Sequence, residues 1–175
     1  AGLGRRTRLL LLAGLAVAGS TLMAPGVIAS PVEGRAVNWG TNPARDSSTK
    51  RFWRVPVAVD TSGVLAGKTV TGISGGFRFS CAVADGQVYC WGRNWGGQLG
   101  DGSKTGRRVP VAVDASGVLA GKTVTAIAAG DSHSCVVADG QVYCWGGNWG
   151  GQLGDGSTTE RLVPVAVDTS GVLAG

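Results

Sequence analysis

The sequence predicts an all-β fold made of β-propeller blades, each with four antiparallel strands. Residues 55–108 and 109–162 align without a gap and are identical at 42 of 54 positions, and a third copy begins at Val163. A repeat of this length, built from short apolar segments separated by turn residues and without a helical period, is typical of propellers. The sequence therefore predicts an incomplete ring of about two and a half repeats. The approximate bounds of these repeats are 33–87, 88–141 and 142–175, and the last is incomplete.

Each repeat contains four strand-like segments, described here in the second copy. The first is β-branched and contains Pro110, which favours an edge strand or the start of a strand. Asp139-Gly140 predicts a two-residue hairpin turn between the third and fourth segments. The four segments are 109–113, 123–127, 134–138 and 141–145.

The first repeat is degenerate. Glu33-Gly34 occupies the place of the Asp-Gly turn before the fourth strand. We therefore expect the chain to enter the propeller on a fourth strand, with at most residues 30–32 of a third strand before it.

Residues 1–29 have the features of a secretory signal peptide. Basic residues at positions 5, 6 and 8 precede an uncharged stretch at 9–24, and Pro25-Gly26 follows. The pattern predicts cleavage after Ala29, with Ala24 as a second candidate site. Cleavage would leave residues 30–175 without a membrane span, secreted or at the surface of a bacterial cell. The alternative is an uncleaved anchor, because residues 9–32 carry no charge and are long enough to span a bilayer.

The four cysteines pair across the predicted hairpins. A two-residue turn at 85–86 places Cys81 opposite Cys90, and the turn at 139–140 places Cys135 opposite Cys144. A non-hydrogen-bonded cross-strand pair brings two Cα atoms to about 4.5 Å, at the near end of disulfide range. Because exported proteins keep such bonds, we predict two disulfides. Buried free thiols are the alternative, and the Cys-x8-Cys spacing does not favour zinc.

The formal net charge of +5 does not indicate a nucleic-acid partner. Three of the 16 basic residues lie in the N-terminal segment, and residues 30–175 contain 13 basic and 11 acidic side chains. The remaining net charge of +2 is too small to predict a phosphate-binding stripe.

Several motifs resemble the regulator of chromosome condensation repeat. They are Asp-Gly-Gln-Val-Tyr-Cys-Trp-Gly-Gly-Asn at 139–148, Gly-Gln-Leu-Gly-Asp-Gly at 151–156, His-Ser-Cys at 133–135 and Val-Pro-Val at 163–165. The copy at 80–111 matches equally well, and the resemblance extends from about Val32 to the end. It implies a seven-bladed propeller in the superfamily of the exported bacterial β-lactamase inhibitor protein of this fold, which binds another protein. The exchange-factor activity of the founding member does not carry over, because fold alone does not give function.

The sequence predicts no catalytic, metal or cofactor site. His133 is the sole histidine, and Phe79 takes its place in the other copy, so no recurring general base exists. The glycine-rich stretch 96–102 is followed by Ser103 where a phosphate-binding loop needs lysine. We therefore expect a protein that is not an enzyme and carries no cofactor.

The candidate binding residues lie in connections between strands. The two copies differ at twelve positions, which cluster where a rigid scaffold carries binding specificity; drift at exposed positions is the alternative. Trp95 and Trp149 either pack under glycine-rich loops or form exposed platforms. The candidates are Phe77, Arg78, Phe79, Arg93, Trp95, Asp131, Ser132, His133 and Trp149.

These observations favour an exported, non-catalytic scaffold that binds another protein through its variable loops. The alternative is a lectin-like or cell-surface scaffold that binds a glycan through Trp95 and Trp149. The identity of the protein partner does not follow from the sequence.

Overall fold

The computed structural model describes residues 27–30, 35–41 and 52–170. These ranges form eleven β-strands, and no helix within them is long and apolar enough to cross a membrane. Most of the predicted signal peptide, residues 1–26, and the Glu33-Gly34 turn lie outside the described residues.

The strands form three antiparallel sheets, and within each sheet the spatial order follows the chain. The first, three-stranded sheet contains β1 (Val27–Ser30), β2 (Arg35–Thr41) and β3 (Phe52–Ala58). The first full blade contains β4 (Val70–Gly76), β5 (Phe79–Ala84), β6 (Gln87–Gly92) and β7 (Arg107–Ala112). The second full blade contains β8 (Val124–Ala129), β9 (His133–Ala138), β10 (Gln141–Gly146) and β11 (Arg161–Ala166).

A blade is offset by one strand from the repeat that the sequence suggested. The segment 109–113, which opens the copy at residues 109–162, lies largely in β7. This strand pairs with β6 of the preceding blade and not with β8. The connection at residues 93–106 lets the chain return antiparallel along β6 and use the edge that β6 would otherwise expose. Pro110 thus lies on an outer strand, as its missing N–H predicts. The number of strands per blade is confirmed.

The hairpin turns have the conformation that their Asp-Gly sequences predict. Asp85 and Gly86 have φ angles of 49° and 74°, as a type I′ turn requires, and the turn at 139–140 has the same form. The resulting register places Cys81 opposite Cys90. Their sulfur atoms lie 2.11 Å apart and their Cα atoms 4.1 Å apart, and the 135–144 pair has the same Cα separation.

The first sheet begins earlier than expected. The sequence predicted at most residues 30–32 in the third-strand position, whereas β1 comprises Val27–Ser30 and places Val27 opposite Asn38. Cleavage after Ala29 would leave Ser30 as the only residue of β1, so the predicted cleavage site lies inside this strand.

The two full blades pack through a common core and share hydrogen bonds. Buried apolar side chains from both blades, including Phe79, Leu99 and Trp145, form one cluster. The carbonyl oxygen of Gln98 in the first full blade accepts hydrogen bonds from Trp145 Nε1 at 2.9 Å and from Ser134 Oγ at 3.0 Å. Each such bond stabilises the folded state by roughly 1 kcal/mol, so the connection that carries Gln98 is held by the neighbouring blade.

The hydroxyl group that bonds to the neighbouring blade in the second full blade has an unpaired counterpart in the first full blade. Ser80 is the repeat counterpart of Ser134, and its Oγ is buried without a hydrogen-bond partner among the described residues. Buried hydroxyl groups are normally paired. The segment 42–51, which follows β2 as the Gln98 connection follows β6, lies outside the described residues.

Candidate functional site

The candidate loops lie at one end of the blades. Because the strands of a blade alternate in direction, the β4–β5 connection (77–78) and the β6–β7 connection (93–106) emerge at the same end. In the second full blade, residues 130–132 and 147–160 occupy the same places. The hairpin turns and the β7–β8 connection emerge at the opposite end. We call the first set the loop end.

Most differences between the two repeats lie at the loop end. In the first full blade, residues 77, 78, 93, 104 and 106 differ within these connections, and residues 79 and 108 differ in the adjoining ends of β5 and β7, which together make seven of the twelve differing positions. The opposite end is almost identical between copies. The loop end is therefore where the two blades present different chemistry on the same backbone.

A buried asparagine holds each long connection in shape. Asn94 is fully buried, and its Oδ1 accepts the N–H of Leu99 at 2.9 Å. Its Nδ2 donates to the carbonyl oxygens of Ser103 and Thr105 and to Asp101 Oδ1. Asn148 makes the same contacts in the second full blade. Neither residue was predicted from the sequence, although each recurs at the same place before the Gly-Gly-Gln-Leu-Gly motif.

An aspartate and an arginine close each of these connections. Asp101 Oδ2 accepts from Arg107 Nε at 2.9 Å. Burial raises the pKa of the Asp101 carboxyl, but hydrogen bonds from Ser103 and Arg107 outweigh this effect and hold the pKa below its ordinary value. In the second full blade, hydrogen bonds from Ser157 and Arg161 lower the pKa of Asp155 to about 2. Both carboxylates thus have a structural role beyond the turn chemistry that the sequence suggested.

Four candidate residues of the first full blade form one cluster, in which the two aromatic residues are exposed and the two arginines are half-buried. The Arg93 guanidinium lies 4.0 Å from the centre of the Trp95 ring and 5.4 Å from that of Phe77. The Arg78 guanidinium lies 5.1 Å from the Phe77 ring. Trp95 is 70% exposed and Phe77 46%. We call Phe77, Arg78, Arg93 and Trp95 the aromatic–arginine cluster.

The two arginines of this cluster have no carboxylate partner among the described residues. Burial lowers the pKa of the Arg93 guanidinium, and the like charge of Arg78 lowers it further. The Nε–H of Arg93 is buried and has no hydrogen-bond partner in the described chain. Arg78 has a φ of 63°, a left-handed conformation that is uncommon for a residue with a side chain and that often marks a functional turn.

The second full blade carries a different surface on the same framework. Gly147 replaces Arg93, and a Cβ at this position would lie 2.8 Å from the Trp149 ring. The indole therefore rests on the backbone of Gly147, and Trp149 remains 66% exposed. Asp131 is exposed and Ser132 is half-buried, so this blade lacks the two cations of its neighbour.

The structure corrects the expectation that Phe79 belongs to a binding loop. Phe79 begins β5 and is fully buried, with its ring lying against Gly76. His133 begins β9 and lies against Gly130 in the same way. Burial lowers the pKa of His133, and Asp131 opposes this effect. His133 is thus a half-buried packing residue that replaces a phenyl ring.

The loop ends of the two full blades are continuous. A Cβ at Gly96 would lie 3.3 Å from the backbone nitrogen of Gly147, so the Trp95 connection abuts the Trp149 connection. Lys104 of the first full blade forms an ion pair with Glu160 of the second. Over residues 52–170, no group of three or more His, Cys, Asp or Glu side chains is arranged to hold a metal ion. The loop end therefore offers a surface of aromatic rings and guanidinium groups.

The sheets and their sequence repeat define the chain as a β-propeller repeat protein. The model of the regulator of chromosome condensation (RCC1) repeat matches residues 85–137 and 139–172, and a second model with the same description matches residues 124–152. The chain belongs to the RCC1 repeat family.

Its relatives are much longer proteins. Human E3 ubiquitin-protein ligase HERC2 is 43% identical over 107 residues, which cover 60% of this chain and 2% of that protein. The ultraviolet-B receptor UVR8 of Arabidopsis thaliana is 42% identical over 90 residues, which cover 50% of this chain and 19% of that protein. The chain therefore spans only a small part of these relatives.

Solved propellers share the fold. Human WBSCR16 superposes with a TM-score of 0.65 at 24% identity, covering 82% of this chain and 35% of that one. Yeast RCC1 (Prp20), in its structure bound to Kap60, gives a TM-score of 0.64 at 20% identity over 79% of this chain and 34% of its own.

Proposed function

We propose that this chain is an exported, non-catalytic RCC1-repeat module that binds another protein through its loop end. The observation that carries the proposal is the aromatic–arginine cluster. Tryptophan and arginine dominate binding energy at protein interfaces, and here an exposed Trp95 stacks with a half-buried Arg93 on a connection that buried Asn94 holds in shape.

Similar proteins support a binding role. Yeast RCC1 (Prp20) has a structure bound to Kap60 and is described with binding properties to Gsp1p and histones. Those partners are proteins, and the propeller fold is what this chain shares with it. We expect the partner of this chain to differ from those proteins. Binding specificity lies in loop residues, and these vary even between the two repeats of this chain.

Two features support export. The N-terminal residues resemble a signal peptide, and the cysteine pairs in both full blades lie at disulfide distance. Such bonds persist in oxidising compartments. Fractionation of cells, with thiol labelling of the recovered protein, tests this part: reduced protein confined to the cytoplasm contradicts it.

Partner capture tests the binding role. The tagged chain, Phe77→Ala combined with Trp95→Ala, and the control Val118→Ala are each incubated with culture medium and with cell extract. Val118 is 40% exposed at the opposite end. We expect proteins captured by the wild type and the control to be lost in the double variant, while the unfolding transition is unchanged. Identical capture by all three contradicts the proposal.

Glycan binding is the second candidate function. Trp149 is supported by Gly147 on one side and is 66% exposed, which suits stacking on a sugar ring. A glycan array with the wild type and Trp149→Ala separates the two functions. Glycan signals that disappear in Trp149→Ala, without any captured protein, would favour the lectin-like role.

A further inference from the structure

We propose that the aromatic–arginine cluster binds an acidic segment of a protein, with carboxylates of that segment pairing with Arg78 and Arg93. This inference rests on the proposed function and names the chemistry of the partner. It uses Phe77 and Trp95 as the apolar walls of the site.

The charge balance at the loop end favours an acidic partner. Other cations there already have partners: Arg107 pairs with Asp101, Arg161 with Asp155, and Lys104 with Glu160. The guanidinium groups of Arg78 and Arg93, by contrast, lie over aromatic rings and form no ion pair with a carboxylate of the described residues. Two positive charges thus lie close together without an anion from the described residues, whereas the other cations named above are each paired with a carboxylate.

An anion bound at the cluster would relieve the repulsion between the two guanidinium groups. Arg93 is partly desolvated, its buried Nε–H has no acceptor, and Arg78 repels it. A carboxylate that binds the guanidinium edge supplies charge-assisted hydrogen bonds and cancels the repulsion. The ring of Trp95 at 4.0 Å holds the guanidinium plane in place, which reduces the side-chain entropy lost on binding.

The exposed aromatic rings favour a peptide as the source of the carboxylate. Phe77 and Trp95, which both lie next to the Arg93 guanidinium, are 46% and 70% exposed. An acidic peptide with an apolar residue buries these rings while its carboxylates meet the cations. A nucleic acid requires a longer run of phosphate contacts, whereas the neighbouring blade presents exposed Asp131 at the same end.

Selection from a random linear-peptide display library against the full chain tests the proposal. Selected peptides are then synthesised, labelled and measured by fluorescence anisotropy with Arg78→Gln, Arg93→Gln and the control Lys68→Gln. Lys68 pairs with Asp85 at 3.7 Å and lies over the Tyr89 ring at the opposite end. The control therefore removes the same charge and the same kind of ring contact elsewhere.

We expect peptides enriched in Asp and Glu, with binding weakened about tenfold or more by each arginine substitution and unchanged by Lys68→Gln. A gain-of-binding variant extends the test. Asp131→Phe, Ser132→Arg and Gly147→Arg together copy the cluster onto the second full blade, and we expect a second binding site. If Trp149 fluorescence shows that the indole has moved off residue 147 and the graft still binds no acidic peptide, the proposal that these four residues form the binding site is contradicted.

The outcomes separate this inference from the proposed function. Peptides that require Phe77 and Trp95 but show no acidic enrichment overturn the inference and leave the binding function standing. Binding that is equally weakened by Lys68→Gln, or oligo-dT of matched charge that displaces every peptide, also overturns it. If no peptide binds below about 1 mM, the inference fails, and partner capture alone then decides the proposed function.

Discussion

Replacing Asn148 by alanine should strongly destabilise the second full blade, because this side chain is the internal support of the loop end. Its Oδ1 accepts the Leu153 N–H at 3.0 Å, and its Nδ2 donates to the carbonyl oxygens of Ser157 and Thr159, both at 3.0 Å. The side chain is fully buried, so water does not replace these bonds.

The magnitude follows from the bonds that are lost. Three hydrogen bonds contribute roughly 3 kcal/mol together, and a buried backbone N–H left without an acceptor costs about 1–3 kcal/mol more. We expect Asn148→Ala to lower the free energy of unfolding by about 4–6 kcal/mol, a large part of the ~5–15 kcal/mol typical of a domain.

Urea unfolding followed by circular dichroism measures this change. Trp149→Ala is the matched control, because the neighbouring side chain is 66% exposed and its loss should cost less than about 1 kcal/mol. Asn94→Ala should behave like Asn148→Ala, since the contacts repeat. A loss below about 1 kcal/mol in Asn148→Ala, or a loss no larger than that of Trp149→Ala, would refute the assigned role.

Three further outcomes are expected. Non-reducing peptide mapping of protein recovered from the exported compartment should give two cystine-linked peptides, one for each hairpin, and thiols that alkylate without a reductant would contradict both pairings. Because hydrogen bonds from Ser157 and Arg161 depress the folded-state pKa of Asp155 to about 2, its stabilising effect is fully present above the unfolded pKa of about 4 and disappears as pH falls towards about 2. Asp155→Asn should flatten the stability profile in that window, and an unchanged profile measured by urea unfolding argues against this role. Gly76→Ala should be severely destabilising because its Cβ would meet the backbone oxygen of Gly130, whereas Gly63→Ala, with nothing within 4 Å of its Cβ, should be nearly neutral; equal melting temperatures for the two variants would show that the blades do not pack as described.

The sequence predicted those parts of the fold that local chemistry determines. The Asp85-Gly86 turn requires positive φ angles, and a two-residue turn leaves no freedom in the register beyond it. Cys81 and Cys90 must therefore face each other, and the structure has them as partners. The repeat period predicted the blade, and the RCC1 match confirms the family.

The sequence did not predict which blade the Val-Pro-Val strand joins. Its residues satisfy an edge strand of either sheet equally well, and the choice depends on which unpaired edge the chain can reach. The connection at 93–106 returns the chain to β6. The pairing depends on the folded path of the connection. Neither the β-propensity of the β7 residues nor their apolar–polar alternation indicates which strand β7 pairs with.

The candidate site was only partly predictable for a related reason. Phe77 and Phe79 both differ between the repeats, but Phe79 begins β5 and is buried in the core, whereas Phe77 lies in the β4–β5 connection and is exposed. The stacking of Arg93 on Trp95 and the burial of Asn94 arise from the folded shape of the connection. Repetition identified the variable positions, whereas tertiary structure decided which of them lie on the surface.

Site-specific photo-crosslinking tests the central claim most directly. A photoreactive amino acid replaces Trp95 at the loop end in one sample and Ser116 at the opposite end in another, and each protein is irradiated in medium and in cell extract. We predict crosslinks to a protein partner from position 95 and none from position 116. Crosslinks from position 116 with none from position 95 would contradict the assignment of the loop end as the binding surface.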